Sequence, residues 1–475
     1  MQASRTPSAV DQATKEAAAA FDVWATSDAS TRASLLSMLA ASLEASQAEL
    51  VDIADRETGL GKARLTGEVA RTAFQLRGFA DQVMAGRAFA FTDDPAIPGA
   101  PPVGHPHLMR TRVPLGPVAM FAASNFPFAF SVLGGDTASA LAAGCPVVVK
   151  PHPGHPELSR RVFQIAVSAV ESLKLPKGLI GMVDGSTIEA GVELIRHPLI
   201  AAAAFTGSVR GGLALQAEAN ARPKPIPFFG ELGSVNPVVV LPNALEGQGH
   251  ELARTLAQSI TNGAGQFCTS PGVIVAFAGE AADRFVATLS SELGAIKPHA
   301  MLTPAVRSGF ESGVKRVASR EGVRPILADA ADGGASPSPF LARTDASTFV
   351  ADHALQEEVF GPAALVVDVT SIDEANDVLD AVGGSLTVTI WGADAETPEN
   401  VRLVRHATRA AGRVLFAGVP TGVAVTEGQH HGGPFPSSTQ PSSTSVGYAA
   451  MDRFLRAVAL QDAPAWLIAR NGRPA

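Results

Sequence analysis

Cys268 stands in Asn262-Gly-Ala-Gly-Gln-Phe-Cys-Thr-Ser-Pro-Gly272, where small residues let the backbone approach a ligand closely. A thiol carried on such a turn can act as a nucleophile through its thiolate. A free cysteine is also at home as a small buried hydrophobe, and the local pattern leaves both readings open. Cys145, in Leu141-Ala-Ala-Gly-Cys-Pro-Val-Val-Val149, reads as ordinary strand packing. Glu231 lies in Pro227-Phe-Phe-Gly-Glu-Leu-Gly233 among apolar residues and glycines, so desolvation is expected to raise its pKa toward that of a general base. The plain alternative is a strand-end carboxylate turned to solvent. Asn125, in Ala122-Ala-Ser-Asn-Phe-Pro-Phe128, brings an amide that can donate to an oxyanion, or simply forms a turn.

A second group of residues suits phosphate and ribose rather than carbonyl chemistry. Lys150-Pro151 closes an apolar strand, and open parallel sheets bind nucleotides at such carboxyl ends. Phe205-Thr-Gly-Ser-Val-Arg-Gly-Gly212 closes another strand and opens a helix, offering backbone N–H groups to a pyrophosphate, although its glycines do not have the three-glycine dinucleotide spacing. The histidine pairs His105 and His107, His152 and His155, and His430 and His431 lie in Pro- or Gly-rich loops, so no metal site is expected. No Gly-x-Ser-x-Gly elbow is present, which argues against a serine hydrolase.

The elements that must position these residues follow from composition and period. The chain has 475 residues, is 46% hydrophobic and 17% charged, and carries a net charge of -8, so it has material for more than one core and no basic face for nucleic acid. Two cysteines exclude a disulfide scaffold, and the N-terminus shows no apolar signal region; a reducing cytoplasm is the expected setting. Pro114 to Gly135 is free of charge, but its prolines, glycines and Ser124-Asn125 argue for a buried strand-turn-helix passage over a membrane span. The first ninety residues read as helical, with a second helix capped at Ser30 or Thr31 and a third over roughly Gly67 to Met84. A proline-rich connector runs from Phe89 to His107. From Val113 onward, apolar runs at 118–122, 145–149, 179–183, 201–205, 228–232 and 236–241 alternate with amphipathic stretches, among them Ser186 to Arg196, the pattern of a parallel sheet with crossover helices. A second α/β passage spans Gly272 to about Phe416, with a loop at Gly333 to Pro339.

Taken in order, these segments resemble the aldehyde dehydrogenase superfamily over nearly the whole chain. Asn125 in Asn-Phe-Pro-Phe, Lys150, Gly207-Ser208 in Phe-Thr-Gly-Ser, Glu231 in Glu-Leu-Gly, Cys268 in Gly-Gln-Phe-Cys-Thr and Glu357-Glu-Val-Phe-Gly-Pro362 stand in family order and at family-like spacing. The resemblance implies that Cys268 attacks an aldehyde, that Asn125 and the Cys268 N–H hold the oxyanion, and that Glu231 activates the water that hydrolyses a thioester. It implies that Lys150, Gly207, Ser208, Glu358 and Phe360 bind the cofactor, with Glu358 on the nicotinamide ribose and Phe360 near the ring. No metal is implied. NAD-preferring relatives commonly carry a Glu three residues after the Lys; here that position is Pro153, so NADP is expected, with NAD possible.

Departures narrow the branch. Ser234 follows Glu-Leu-Gly where most of the superfamily has a second Gly, and the C-terminal block reads Gly432-Gly-Pro-Phe-Pro-Ser-Ser438. With Glu57-Thr-Gly-Leu-Gly61, Arg71 to Arg77 and Gly418-Val-Pro-Thr-Gly422, these resemble the branch that oxidises 2,5-dioxopentanoate (α-ketoglutaric semialdehyde) to 2-oxoglutarate, although Ala417 stands where that branch usually has Asn. NADP-dependent fatty aldehyde dehydrogenases are neighbours, and a catalytically silent cofactor-binding homologue is the reading of a different class. Ser437, Ser438, Thr439 and Thr421 are the hydroxyls expected to meet a substrate carboxylate. The resemblance implies a Rossmann-like cofactor domain over 1–95 and 115–231, a catalytic α/β domain over 232–430, and an oligomerisation element and tail from 96–114 and 431–475. A homodimer or homotetramer acting on a small aldehyde is expected, with no nucleic-acid or membrane partner.

Overall fold

The structure, a computed structural model, describes residues 8–183, 187–328 and 336–473. Ser186, the expected start of one helix, and residues 333–335 of the expected loop lie outside them. Four helices open the chain: α1 (Ala9–Ala25), α2 (Ala29–Ala45), α3 (Gln47–Thr58) and α4 (Lys62–Met84). The cap of α2 is Asp28, whose carboxylate accepts the Thr31 N–H at 2.7 Å, rather than Ser30 or Thr31. An acceptor two or three residues later would already lie inside the helix, too late to reach the free first-turn N–H groups. The left-handed Gly59 ends α3, and α4 then starts at Lys62, five residues before the position expected from its apolar period. Leu35, Leu36, Leu39 and Leu43 of α2 are fully buried with Leu65, Val69 and Leu76 of α4. Each such side chain contributes about 1.5–3 kcal/mol relative to exposure.

The connector forms β1 (Thr92–Asp94) and β2 (Leu108–Pro114), an antiparallel pair. The next five strands, β3 (Val118–Phe121), β4 (Val147–Lys150), β5 (Ile180–Met182), β6 (Ala202–Thr206) and β7 (Phe228–Glu231), make an all-parallel sheet in the order β5-β4-β3-β6-β7. Their crossovers are α5 (Gly135–Ala143), α6 (Pro156–Ser172), α7 (Ile188–Arg196) and α8 (Val209–Asn220). Helices cover both faces, which is why Val147, Val148 and Val149 in succession are fully buried instead of alternating with polar residues. The order reverses at β3, so the crevice at the carboxyl ends of β3 and β6 is the place where such a sheet takes a ligand.

A seven-stranded sheet follows, in the order β10-β11-β12-β9-β8-β13-β14. Its strands are β8 (Val238–Val240), β9 (Val273–Phe277), β10 (Arg324–Ala328), β11 (Phe340–Asp345), β12 (Ala363–Val369), β13 (Ser385–Trp391) and β14 (Ala411–Leu415). All its pairings are parallel except that of β10 with β11. It is covered by α9 (Pro242–Thr261), α10 (Glu280–Ala295), α11 (Pro304–Ala318), α12 (Ala346–Ala351), α13 (Ile372–Val382) and α14 (Pro398–Ala410). The last strand, β15 (Leu455–Gln461), returns to β2 and completes a three-stranded antiparallel sheet. Among the described residues no helix is long and apolar enough to cross a membrane.

The strand ends of one large sheet face the loops of the other. Asn125, Lys150, Gly207 and Glu231 all sit at or just beyond the carboxyl ends of β3, β4, β6 and β7. Facing them are the segments that lead into the amino ends of β8, β9, β12 and β13, and these carry Ser234, Asn236, Cys268, Glu358 and Phe360. Asn125 Nδ2 donates to the Gln266 carbonyl at 3.0 Å across this junction, and Leu386 N–H donates to Ser234 Oγ at 2.9 Å within its far side.

Candidate active site

The cysteine loop begins where α9 stops. A short turn over Asn262–Gly265 has positive φ at Gly263, Ala264 and Gly265, and at Gly265 a Cβ would stand 2.2 Å from the Gly361 carbonyl carbon. Glycine is therefore required there by both conformation and space. Asn236, fully buried with φ +47, grips the loop from below: Nδ2 donates to the carbonyls of Cys268 at 2.8 Å and Ser270 at 2.9 Å. Its Oδ1 accepts the hydroxyls of Ser234 at 2.8 Å and Thr387 at 3.0 Å. Ser234, which stands out in the sequence only as a departure from the family pattern, is thus part of the brace under Cys268. Asn236 itself escaped the sequence reading; its one signal is an amide set against the apolar run that follows it.

Above the brace, three polar side chains converge. His431 Nε2 lies 3.5 Å from Cys268 Sγ and 3.0 Å from Glu231 Oε1, and Ser445 Oγ donates to Glu231 Oε2. His431 and Glu231 are buried. His431 Nδ1 has no partner among the described residues, which favours the ring with its hydrogen on Nε2, given to the carboxylate. Burial pushes Glu231 up, but the imidazole, the Ser445 hydroxyl and the thiol together hold it below the usual carboxylate range. The rise expected from sequence is therefore reversed: desolvation is real, yet three donors outweigh it. Cys268 keeps partial exposure, and its packed surroundings, followed by the neighbouring Glu231 carboxylate, push the thiol well above its ordinary value. The pair rests as thiol and carboxylate, an arrangement in which the carboxylate can take the proton as sulfur bonds to carbon. Asn125 is buried and directs Nδ2 at the cysteine loop, with one hydrogen on Gln266 and one left for an oxyanion. Glu231, Cys268 and His431 also have the donor set of a metal site, with ligand atoms within 4.8 Å of one another, although the sequence reading expected none.

The cofactor candidates lie along the same edge. Lys150 ends β4, half-buried, with Nζ donating to the Pro151 carbonyl at 3.4 Å; burial pulls its ammonium down. Glu157, the nearest carboxylate in sequence, is turned to Arg56 at 2.6 Å. Gly207 and Ser208 are exposed at the mouth of α8, where Ser208 Oγ accepts the Gly211 N–H at 3.2 Å. Glu358 and Phe360 line one crevice with Ser234 and Phe267. A Cβ on Gly233 would stand 2.6 Å from Glu358 Oε2, so the glycine leaves room for that carboxylate. Burial raises Glu358 to about 7, opposed only by the Ser234 N–H. A cation, a helix N-terminus with free N–H groups and a carboxylate acceptor along a sheet's carboxyl edge fit an NAD(P) molecule.

Other residues are placed differently from expectation. The hydroxyls assigned to a substrate carboxylate are engaged elsewhere: Ser437 donates to Pro434 O at 2.8 Å, Ser438 Oγ accepts the Gln440 N–H at 3.0 Å, Thr439 donates to Phe228 O at 2.9 Å, and Thr421 pairs with Ser259 at 3.0 Å. The segment around Ser437 to Thr439 lies beside β7, bridging Glu231 through Ser438. Residues 431–445, grouped in the sequence reading with the tail, thereby help build the catalytic pocket. Cys145 is buried as expected, its thiol directed to the Phe454 carbonyl.

The aldehyde dehydrogenase family model matches residues 2–452. An alpha-ketoglutaric semialdehyde dehydrogenase 2 of Azospirillum brasilense is 43% identical, covering 96% of this chain and 87% of its own length. An alpha-ketoglutaric semialdehyde dehydrogenase of Acinetobacter baylyi is 39% identical, covering 98% and 89%. In fold, an NAD-dependent aldehyde dehydrogenase from Sinorhizobium meliloti is similar with a TM-score of 0.79 at 24% identity, covering 98% of this chain and 88% of that one.

Proposed function

The chain belongs to the aldehyde dehydrogenase family and is an NAD(P)-dependent enzyme that oxidises an aldehyde to its acid; on that premise we propose that the aldehyde is 2,5-dioxopentanoate, the product 2-oxoglutarate and the preferred cofactor NADP. The observation that carries the reading is the meeting of a thiol, a carboxylate and an amide donor at the junction of the two sheets. Cys268 attacks the aldehyde carbon while its proton passes to Glu231. The new oxyanion is held by Asn125 Nδ2 and the Cys268 backbone N–H, donors aimed where negative charge develops. Lys150, the N–H groups at the mouth of α8 and Glu358 would hold the dinucleotide, with Phe360 beside the ring. When bound there, the cofactor would supply the hydride acceptor for this oxidation, which leaves a thioester on Cys268. Once Glu231 has passed the first proton to solvent, its carboxylate, oriented by His431 and Ser445, takes a proton from the water that attacks the thioester; the acid leaves and the Cys268 thiolate regains a proton.

The cofactor preference rests on charge. Among the described residues no carboxylate is paired with Lys150, and Arg210, exposed in the first turn of α8, has no partner; both favour a 2′-phosphate. The oligomer reading rests on the antiparallel sheet element and its flanks, where Ile97, Val103 and Trp466 are exposed. A cytoplasmic setting accords with the two unpaired cysteines. The second reading, a medium- or long-chain aliphatic aldehyde, has one feature in its favour: Phe126, Phe130 and Phe267 pack as an aromatic group beside the cysteine loop. The test compares kcat/KM for 2,5-dioxopentanoate, glutarate semialdehyde and hexanal, with NADP and with NAD. The keto acid with NADP should lead. Hexanal as the best of the three would install the aliphatic reading, and a tenfold advantage for NAD, about 1.4 kcal/mol, would remove the cofactor preference.

A further inference from the structure

A substrate that carries its own carboxylate into a partly buried channel needs a cation there, because an unpaired anion is costly to desolvate. Hydroxyls do not supply it: they carry no charge, and those of Ser437 and Thr439 are given to backbone carbonyls while that of Thr421 pairs with Ser259. Among the arginines near the site, Arg413 has Nη1 and Nη2 on the Gly422 and Pro420 carbonyls at 3.1 and 2.6 Å. Arg64 places Nη2 on the Asn125 carbonyl at 2.6 Å, while its Nε and Nη1 are buried without a partner among the described residues. Arg71, two turns further along α4, makes no hydrogen bond and no ion pair among the described residues, and its Nε and Nη2 are buried. The only carboxylate one turn away, Glu68, directs Oε1 to the N–H groups of Phe128 and Ala129 at 2.8 and 3.0 Å.

Ring contacts fix where this guanidinium stands. It lies 5.8 Å from the Phe126 centroid and 5.6 Å from that of Phe130. Phe126 meets Phe267 edge-on at 5.2 Å, and Phe267 is the residue before Cys268. Arg71 is thus two ring contacts from the nucleophile, close enough that its charge acts on both Cys268 and Glu231. Stacking on aromatic faces holds the planar group while leaving its N–H edge free for an incoming anion.

We propose that Arg71 is the specificity-determining residue that pairs with the carboxylate at the far end of the aldehyde, with Phe126 and Phe130 orienting its guanidinium. The proposal rests on the reading that the substrate is an acid-bearing aldehyde. It names the group that reads the acid and restricts the channel to aldehydes ending in a carboxylate. The test uses the full-length enzyme with Arg71→Met and Arg71→Lys, and the readouts are kcat/KM for 2,5-dioxopentanoate, glutarate semialdehyde and hexanal, with the KM for NADP. Arg71→Met should lower kcat/KM for both acids by about 100-fold or more, mainly through KM, the range expected for losing a charge-assisted bidentate contact. Hexanal shares any effect of the lost charge on Cys268 and Glu231, so its kcat/KM should fall at least about tenfold less than that of the acids; the cofactor KM should stay within about threefold, and Arg71→Lys should recover part of the loss because it keeps the charge. An equal fall for hexanal makes Arg71 a structural residue and overturns the proposal. So does an unchanged ratio of acid to hexanal in a wild type that prefers the acids, and that outcome leaves the substrate reading standing. A wild type that prefers hexanal overturns the substrate reading and this proposal together.

Discussion

Replacing His431 tests whether it serves the base or the nucleophile. In the structure its Nε2 touches both groups, at 3.0 Å from Glu231 Oε1 and 3.5 Å from Cys268 Sγ. The shorter contact is a hydrogen bond to a charged group, worth roughly 1.5–3 kcal/mol, whereas sulfur is a weak partner. One pKa unit corresponds to about 1.36 kcal/mol, so loss of that bond should move the acid limb of Glu231-dependent deacylation upward by about one to two pH units. The sign follows from the direction of the shift. Glu231 is held below its usual range, so in the wild type the base is ionised from mildly acidic pH upward; without the donor, burial takes over and the carboxylate protonates at higher pH. Hydrolysis of p-nitrophenyl acetate reads this without cofactor: the burst reports acylation of Cys268 and the steady state reports deacylation. His431→Ala should keep the burst and shift the acid limb of the steady state, and His431→Gln, whose amide can donate to Oε1, should return most of the shift. A slowed burst with an unmoved limb would mean that the imidazole works on the thiol, and the assignment to Glu231 would be wrong.

Cys268→Ser should abolish dehydrogenase turnover, because an alcohol is a far weaker nucleophile than a thiolate at neutral pH; wild-type-like rates would exclude the cysteine. Glu231→Gln should slow the burst of reduced cofactor, because the thiol loses its proton acceptor, and then stall at the thioester, read at 340 nm; linear turnover from the start would remove Glu231 as the base. Asn236→Ala should leave the Cys268 and Ser270 carbonyls without their donor, lowering stability by about 2–4 kcal/mol in denaturant titration and activity with it. Gly265→Ala should place a methyl against the Gly361 carbonyl and cost activity through a displaced cysteine loop, without affecting NADP binding; an active variant would show that the loop yields.

The sheets were legible because their strands are short runs of wholly buried residues such as Val147-Val-Val and Val238-Val-Val, bounded by turn formers. The residues at strand ends were legible for the same reason, since Asn125, Lys150, Gly207 and Glu231 follow such runs directly. What escaped depends on pairing across long separations. His431 and Ser445 lie 200 and 214 residues from the Glu231 they hold, and nothing local marks them as partners. His431 was visible in sequence only as half of a histidine pair weighed for metal binding. The direction of the Glu231 shift went wrong for that reason: local sequence reveals the desolvation, and only the fold supplies the donors that oppose it.

The carboxylate-binding end does not lie where the polarity of the sequence points. Counting hydroxyls along Pro434 to Thr444 points to that segment, because polar side chains there outnumber apolar ones. In the folded chain those groups answer backbone groups instead: Ser437 bonds the Pro434 carbonyl within its own turn, and Thr439 bonds the Phe228 carbonyl of β7. Polarity in sequence measures capacity to bond, while recognition needs capacity left over after folding. By that measure the informative group is the Arg71 guanidinium, whose neighbours in space are rings and whose Nε and Nη2 have no partner among the described residues. A charged group in that condition is destabilising to the free enzyme and is relieved when an anion arrives. Affinity for the acid and selectivity against a neutral aldehyde then have one source, because a neutral chain in the same channel would leave the N–H groups unpaired.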